Sequence, residues 1–177
     1  MNIIELNRNE YAGRSFLARY TTGSYIDIER TPEGFSLTRR KFDKVCEKSF
    51  EDSFFGDWLE DPVAYGAFED GKMLAFGEGS METWNSRFRI SNICVFDEDH
   101  KGRGMGTALI EALLCEARQR GARMAVLETQ SCNEKAIAFY RKCGFEVIGF
   151  DMFAYTNRDR ERHEIRLEMG KILNDNA

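Results

Sequence analysis

The sequence holds no run that approaches the roughly 18–20 consecutive apolar residues of a membrane-crossing helix. Its start, Met1-Asn2-Ile3-Ile4-Glu5-Leu6, lacks the basic stretch and apolar core of a secretory signal. Both absences lead to the expectation of a cytoplasmic chain with no membrane partner. Cysteine is present but unpatterned. The five residues Cys46, Cys94, Cys115, Cys132 and Cys143 form no C-x-x-C pair, so neither a disulfide framework nor a zinc site follows. Reduced, mostly buried thiols are the simpler reading. His100 and His163 are too few and too scattered for a metal cluster, and no metal is expected. An excess of basic charge is also missing. With 25 Lys and Arg against 30 Asp and Glu, the formal net charge is -5, which disfavours a nucleic-acid partner and suits a cationic one.

What is present fits one folded domain over residues 1–177: 42% hydrophobic residues, 31% charged and 14 Phe. There is no internal repeat and no Pro- or Ser-rich linker. The first sixty or so residues are the least legible. They carry helix-like stretches around Glu10–Tyr20 and Ser36–Ser49, separated by the turn-like Thr31-Pro32-Glu33-Gly34. Val63–Phe68 and Met73–Gly79 read as strands joined at Asp70-Gly71, a dipeptide suited to a tight hairpin. Phe88–Phe96 reads as a further strand whose alternation shifts near Ser91-Asn92, as a bulge would make it do.

Thr107–Arg120 is an amphipathic helix, with Leu109, Ile110, Leu113, Leu114 and Ala117 on one face and Gly121 placed to stop it. A short strand, Met124–Thr129, follows. Ser131-Cys132-Asn133-Glu134 has the form of a capping box opening a helix to about Lys142, and Gly144 ends that helix. Phe145–Phe150 and Glu164–Met169 complete the strands, and Asn174–Ala177 reads as a frayed tail. The expected class is α+β, a mixed sheet with helices packed on it.

Between strand and helix lies Lys101-Gly102-Arg103-Gly104-Met105-Gly106. Alternate glycines let a backbone approach a ligand closely, and the helix that follows directs unpaired N–H groups and its positive dipole end to the same place. This is how a diphosphate is held. No Gly-Lys-Ser/Thr follows, so it is not a P-loop, and the spacing is not G-x-G-x-x-G. As a plain tight connection, the turn would need no ligand at all.

Lys101–Gly106 resembles the R/Q-x-x-G-x-G/A pyrophosphate motif of the GNAT family of N-acetyltransferases. A second motif stands in register: Leu127-Glu128-Thr129-Gln130, then Asn133, then Ala138-Phe139-Tyr140-Arg141-Lys142-Cys143-Gly144-Phe145. The resemblance covers roughly Val63 to Met169, and Trp84-Asn85 with Gly149-Phe150-Asp151 point to the streptothricin acetyltransferase-like branch. It implies a mixed, mostly antiparallel sheet splayed between two central parallel strands, Phe88–Phe96 and Met124–Thr129, and flanked by helices. It also implies acetyl-CoA as cosubstrate, lying across that splay. Its diphosphate would rest on Lys101, Gly102, Arg103, Gly104, Met105, Gly106 and Thr107, and a free N–H at Cys94 or Val95 would polarise the thioester carbonyl.

By the same resemblance Tyr140 is the general acid beside the CoA sulfur, and Asn133 binds the pantetheine arm. From the residues alone, Tyr140 could equally be a core aromatic and Asn133 a helix cap. Relatives often carry a base carboxylate where this chain has Ser91-Asn92, so Glu78 and Glu82 are the nearest substitutes. Each can also be read as a surface or substrate-binding residue, and a water chain or an already neutral amine could replace a base. Lys101 stands where Arg or Gln is usual and would act as a point charge. Trp84, Asn85, Asp151 and Tyr155 are candidates for the acceptor pocket, with an ordinary acidic surface as the alternative.

The implied activity is direct acetylation of a primary amine on a small cationic molecule, streptothricin-like or lysine-like, as in bacterial antibiotic resistance. A protein N-terminus or lysine side chain is the alternative acceptor, and an acetyl-CoA sensor without turnover is the alternative class. A homodimer is an expectation by analogy only. Replacing Gly104 with Val is expected to weaken acetyl-CoA binding at least tenfold by blocking the diphosphate seat. Calorimetric titration giving an unchanged affinity would remove the ligand from this turn.

Overall fold

Asp70 and Gly71 both take positive φ, 48° and 77°, which is the geometry of a two-residue type I′ hairpin. They join β4 (Val63–Glu69) to β5 (Lys72–Glu82), and the expected hairpin is therefore present. The structure is a computed structural model and describes residues 1–174, the side chain of Glu98 apart. The end of the expected frayed tail lies outside the described residues.

The chain forms two compact units. The first comprises residues 1–18, 49–127 and the segment from Lys171 onward. Its sheet runs in the order β1 (Asn2–Glu5), β4, β5, β6 (Arg87–Val95) and β7 (Met124–Gln130). All neighbours are antiparallel except β6 and β7, which run parallel from Arg87 opposite Met124 to Ile90 opposite Leu127. The mixed sheet with one parallel pair is the arrangement expected from the sequence.

Parallel neighbours need a crossover. The crossover is α2 (Met105–Gln119), introduced after a four-residue α1 (Arg8–Tyr11). Met105, Leu109, Ile110, Leu113, Leu114 and Ala117 are its buried face. Met105 and Leu109 join a core cluster with Ala67, Leu74 and Ala75, with Ile93 and Val95 packed against it. A second cluster gathers Leu6, Phe16, Ala18, Phe54, Phe55, Ala64, Phe76 and Cys94. Its aromatic centre is tight, with the Phe76 ring 4.7 Å from Phe16 and 4.3 Å from Phe54.

The second unit comprises Arg19–Lys48 and Glu128–Gly170. It contains most of β2 (Ser15–Thr31) and β3 (Gly34–Ser53), a two-stranded sheet. These strands replace the helix-like stretches expected around Glu10–Tyr20 and Ser36–Ser49. The reason is visible in β2, where Phe16, Ala18, Tyr20, Thr22 and Ser24 are buried on alternate residues. A period of two with Phe, Tyr, Thr and Ile is strand chemistry, and it outweighs the charged residues between them. The turn expected at Thr31–Gly34 is where β2 ends and β3 begins.

In the same unit, α3 (Glu134–Lys142) is followed by β8 (Glu146–Asp151), a short α4 (Asp159–Arg162) and β9 (Arg166–Ile172). β8 and β9 pair antiparallel from Glu146 opposite Gly170 to Asp151 opposite Arg166. The expected capping box does not form. Asn133 is the N-cap, its Oδ1 accepting from Ala136 N at 3.3 Å, while the Ser131 hydroxyl donates to the His163 carbonyl at 2.9 Å. Among the described residues no helix is long and apolar enough to cross a membrane.

Gly79 tests the packing. A Cβ there would lie 2.5 Å from the Phe88 ring and 2.7 Å from the Arg89 carbonyl oxygen, which is backbone and cannot swing away. Gly79→Ala is expected to lower unfolding free energy by about 1–3 kcal/mol. Urea denaturation should show the midpoint falling with the slope unchanged.

Candidate active site

The glycine-rich turn follows β6 and a 3₁₀ turn at Glu98–His100. Gly102 and Gly104 adopt φ of 79° and 86°, and a Cβ at either would meet nothing within 4 Å. The glycines are thus demanded by the left-handed backbone, not by crowding. Gly104 is the N-cap of α2, so the helix begins at Met105 and not at the expected Thr107. Having no side chain, Gly104 supplies no capping hydrogen bond, and Ala108 is the first residue to bond back to its carbonyl, at 3.0 Å. The amides of Met105, Gly106 and Thr107 therefore open the helix without intrahelical acceptors. Arg103 is turned to Glu69, Nη2 to Oε2 at 2.7 Å. Near the end of β6, burial pushes the Cys94 thiol up to about 11 against the pull of the Lys101 charge, which keeps it protonated at neutral pH.

The shift of alternation foreseen at Ser91-Asn92 is a bulge. Glu78 pairs with Asn92 and Gly79 with Ile90, so Ser91 is the extra residue on β6. Its hydroxyl donates to the Glu78 carbonyl at 3.2 Å. The Glu78 side chain is fully buried, at 0% exposure, and accepts from Phe55 N at 2.6 Å and from Asn92 Nδ2 at 3.4 Å. The same Asn92 Nδ2 donates to Asp52 Oδ2 at 3.1 Å. Burial raises the Glu78 carboxyl to about 7; the Phe55 and Asn92 bonds oppose that rise and the neighbouring Asp52 charge adds to it. A carboxyl so poised exchanges a proton near neutrality, as a general base must.

Glu82 differs in kind. It is held by Arg87 Nε at 2.9 Å and Arg89 Nε at 2.5 Å, and although burial acts to raise its carboxyl, these two arginines hold it below the usual range. Trp84 and Asn85 form the reversal between β5 and β6. Trp84 is 82% exposed, and Asn85 Oδ1 accepts from Arg87 N at 3.1 Å while its carbonyl accepts from Arg123 Nε at 2.8 Å. This reversal precedes β6, whereas the glycine turn follows it. The nine residues of β6 span roughly 30 Å at strand rise, so the structure does not bring Trp84 and Asn85 to that turn.

In the second unit, Tyr140 lies on the buried side of α3, its ring 5.3 Å from Phe139 and 6.3 Å from Phe145. Asn133 opens that helix, as described above. Tyr20 donates its hydroxyl to Gln130 Oε1 and lies 3.4 Å from Cys132 Sγ, and burial drives the phenol well above its ordinary value. Tyr155 donates to Glu128 Oε1 at 3.3 Å, and Arg166 Nη1 reaches Glu128 Oε2 at 3.4 Å. Asp151 accepts from Phe153 N at 2.9 Å. The sequence reading missed Tyr20 and Asp52. Tyr20 carried a signal in the alternation of β2; Asp52 carried none, because its partner Asn92 is 40 residues away.

The Acetyltransferase (GNAT) family model matches residues 28–145, two thirds of the chain. The chain belongs to the GNAT family of acetyltransferases. It is 33% identical over 142 residues to a streptothricin acetyltransferase of Escherichia coli, covering 78% of this chain and 77% of that protein. The crystal structure of a nourseothricin acetyltransferase superposes with a TM-score of 0.78 at 28% identity, covering 97% of both chains. The fold is also that of a Bacillus anthracis structure in complex with acetyl coenzyme A, with a TM-score of 0.72 at 22% identity over 98% and 97% of the two chains. The chain is therefore an N-acetyltransferase, and its family uses acetyl-CoA.

A raised carboxyl makes folding sensitive to pH with a definite sign. Glu78 holds its proton to about 7 in the fold against 4.5 for the ordinary carboxyl, so the native state binds more protons across that interval. Stability is full below 4.5 and falls as pH rises to 7, by at most about 3 kcal/mol. Glu78→Gln is expected to flatten this slope and to be the more stable protein at pH 8. Parallel slopes for the two proteins in denaturant titrations at pH 5 to 8 would show that Glu78 is not so poised.

Proposed function

We propose that this enzyme transfers acetyl from acetyl-CoA directly to a primary amine of a small cationic molecule, streptothricin or a similar lysine-like amine. The observation that carries the reading is the likeness, over 78% of this chain, to a streptothricin acetyltransferase, and the Glu78 carboxyl, fully buried beside the β6 bulge, supports it as the candidate base. It supplies on β5 the base that relatives often carry on the strand before the turn. Glu82, committed to two arginines, is the weaker of the two candidates. The similarity to streptothricin and nourseothricin acetyltransferases supports the acceptor class, and the family match, which runs through both compact units, supports reading residues 1–177 as one catalytic domain.

In this reading the diphosphate of acetyl-CoA sits on the amides from Lys101 to Thr107, with Lys101 and Arg103 nearby, and Asn133 holds the pantetheine arm. The thioester carbonyl accepts from a β6 amide at Cys94 or Val95 as its oxygen gains charge. Glu78, which has no exposed surface, takes a proton from the ammonium form of the acceptor through an intervening water. The freed amine attacks the carbonyl carbon, a C–N bond forms and the C–S bond breaks. Tyr140 gives a proton to the departing thiolate, so that amide and CoA thiol leave. The transfer so written needs no metal ion, and neutral Cys94 is no nucleophile. Trp84, Asn85, Asp151 and Tyr155 remain candidates for acceptor contacts.

Thiol release from acetyl-CoA should be measured against streptothricin, polyamines, lysine derivatives and basic peptides, with Tyr140→Phe alongside. Turnover on a small cationic amine is expected, with kcat lower in the variant by about 10²-fold or more. Turnover on peptides alone would favour the protein-acetylating alternative. Acetyl-CoA binding with no turnover on any amine would favour a sensor.

A further inference from the structure

Where the family resemblance leads one to look for a base carboxylate this chain has Ser91-Asn92, and the Asn92 amide is not idle. Asn92 is buried, with 8% exposure, and faces the β5 carboxylate across the bulge. Its one NH₂ group reaches two acids from different parts of the chain: Glu78 Oε2 at 3.4 Å and Asp52 Oδ2 at 3.1 Å. Asp52 lies at the end of β3, next to the segment whose Phe55 amide donates to Glu78 Oε1 at 2.6 Å. Ser91, the bulged residue, anchors the Glu78 backbone through its carbonyl. Among the described residues neither Asp52 nor Glu78 has an arginine, lysine or histidine within ion-pair distance. Among the described residues the polar groups that act on Glu78 are Asn92 and Ser91 from β6, Phe55 N, and the charged neighbour Asp52.

We infer that Asn92 is a positioning residue for the acetyl-transfer reaction, holding the Glu78 carboxylate in place and linking it to Asp52. The inference rests on Glu78 being the base. An amide suits this place because its NH₂ has two donors and no charge. A carboxylate at 92 would add a third negative group to the pair, and an apolar residue would leave both acids without their shared donor. The two linked groups act on Glu78 in opposite directions. The Asn92 bond favours the ionised form, and the Asp52 charge disfavours it. Removing one or the other must therefore move the base in opposite senses, an outcome that a merely structural contact would not give.

The test is the pH dependence of kcat/KM for the full-length enzyme with its best amine from the thiol-release panel. The reference enzyme should show an acid limb near 7. In Asn92→Ala the limb is expected to move up by about half a pH unit or more, with kcat reduced and the KM for acetyl-CoA little changed. In Asp52→Asn, whose side chain keeps an acceptor for Asn92, the limb is expected to move down. Limbs that stay put in both variants, or move the same way, overturn the inference. Glu78→Gln separates this failure from failure of the base itself. If that variant keeps the limb and most of its rate, the base reading has failed; if it loses both while the other two variants leave the limb unmoved, only the Asn92 inference has failed. Should Asn92→Ala fold poorly, Asp52→Asn and Asn92→Ser still give the sign.

Discussion

One extra residue in β6 sets what the sheet of the first unit can offer. With Ser91 bulged out, Asn92 stands opposite Glu78 and Ile90 opposite Gly79. Gly79 is the residue this crossing requires, since any side chain there would run into the Arg89 carbonyl. Without the bulge every later residue of β6 would face the other way, because a slip of one residue exchanges the two faces of a strand. Asn92 and Cys94 would then leave the Glu78 side, while Ile93 and Val95 would leave the cluster that receives α2. Packing and chemistry thus hang on the same irregularity.

The side of the sheet that carries Glu78 is built of aromatic rings, and that explains the state of the carboxyl. Phe54, Phe55 and Phe76 contribute little that could solvate an anion apart from one backbone amide at Phe55. Burial dominates, and the hydrogen bonds hold the group near neutrality, short of leaving it permanently protonated. Glu82, four residues on, has two arginines and lies below the ordinary range. Two glutamates on one strand are thereby given different characters by what surrounds them, and only one is suited to exchange a proton at neutral pH.

The opposite end of β6 leads to chemistry of a different kind. The turn after it contributes backbone, with Gly102 and Gly104 in left-handed conformations and α2 starting immediately afterwards. A turn that offers backbone amides depends little on the side chain at its first position, here Lys101. The burial of Met105 and Leu109 fixes the helix start against the sheet. The amides at that helix start are thereby held so that their donors point together.

Much of this was legible from sequence because it is local. Asp70-Gly71 specifies its hairpin through the φ values that those residues tolerate, α2 follows from the period of its apolar residues, and the glycine turn follows from spacing. The shift at Ser91-Asn92 was visible for the same reason. β2 and β3 look helix-like in sequence because their charged residues hide a period of two, whose meaning depends on which face is buried. The sequence alone determined the family and the glycine turn that opens α2, and it singled out Tyr140 as a candidate. Tertiary structure decided which of the two carboxylates, Glu78 or Glu82, has its proton affinity raised. The character of Glu78 comes from the loss of water around it and from Phe55, Asn92 and Asp52, which reach it from other strands and segments; desolvation and through-space charge leave no pattern in the order of residues.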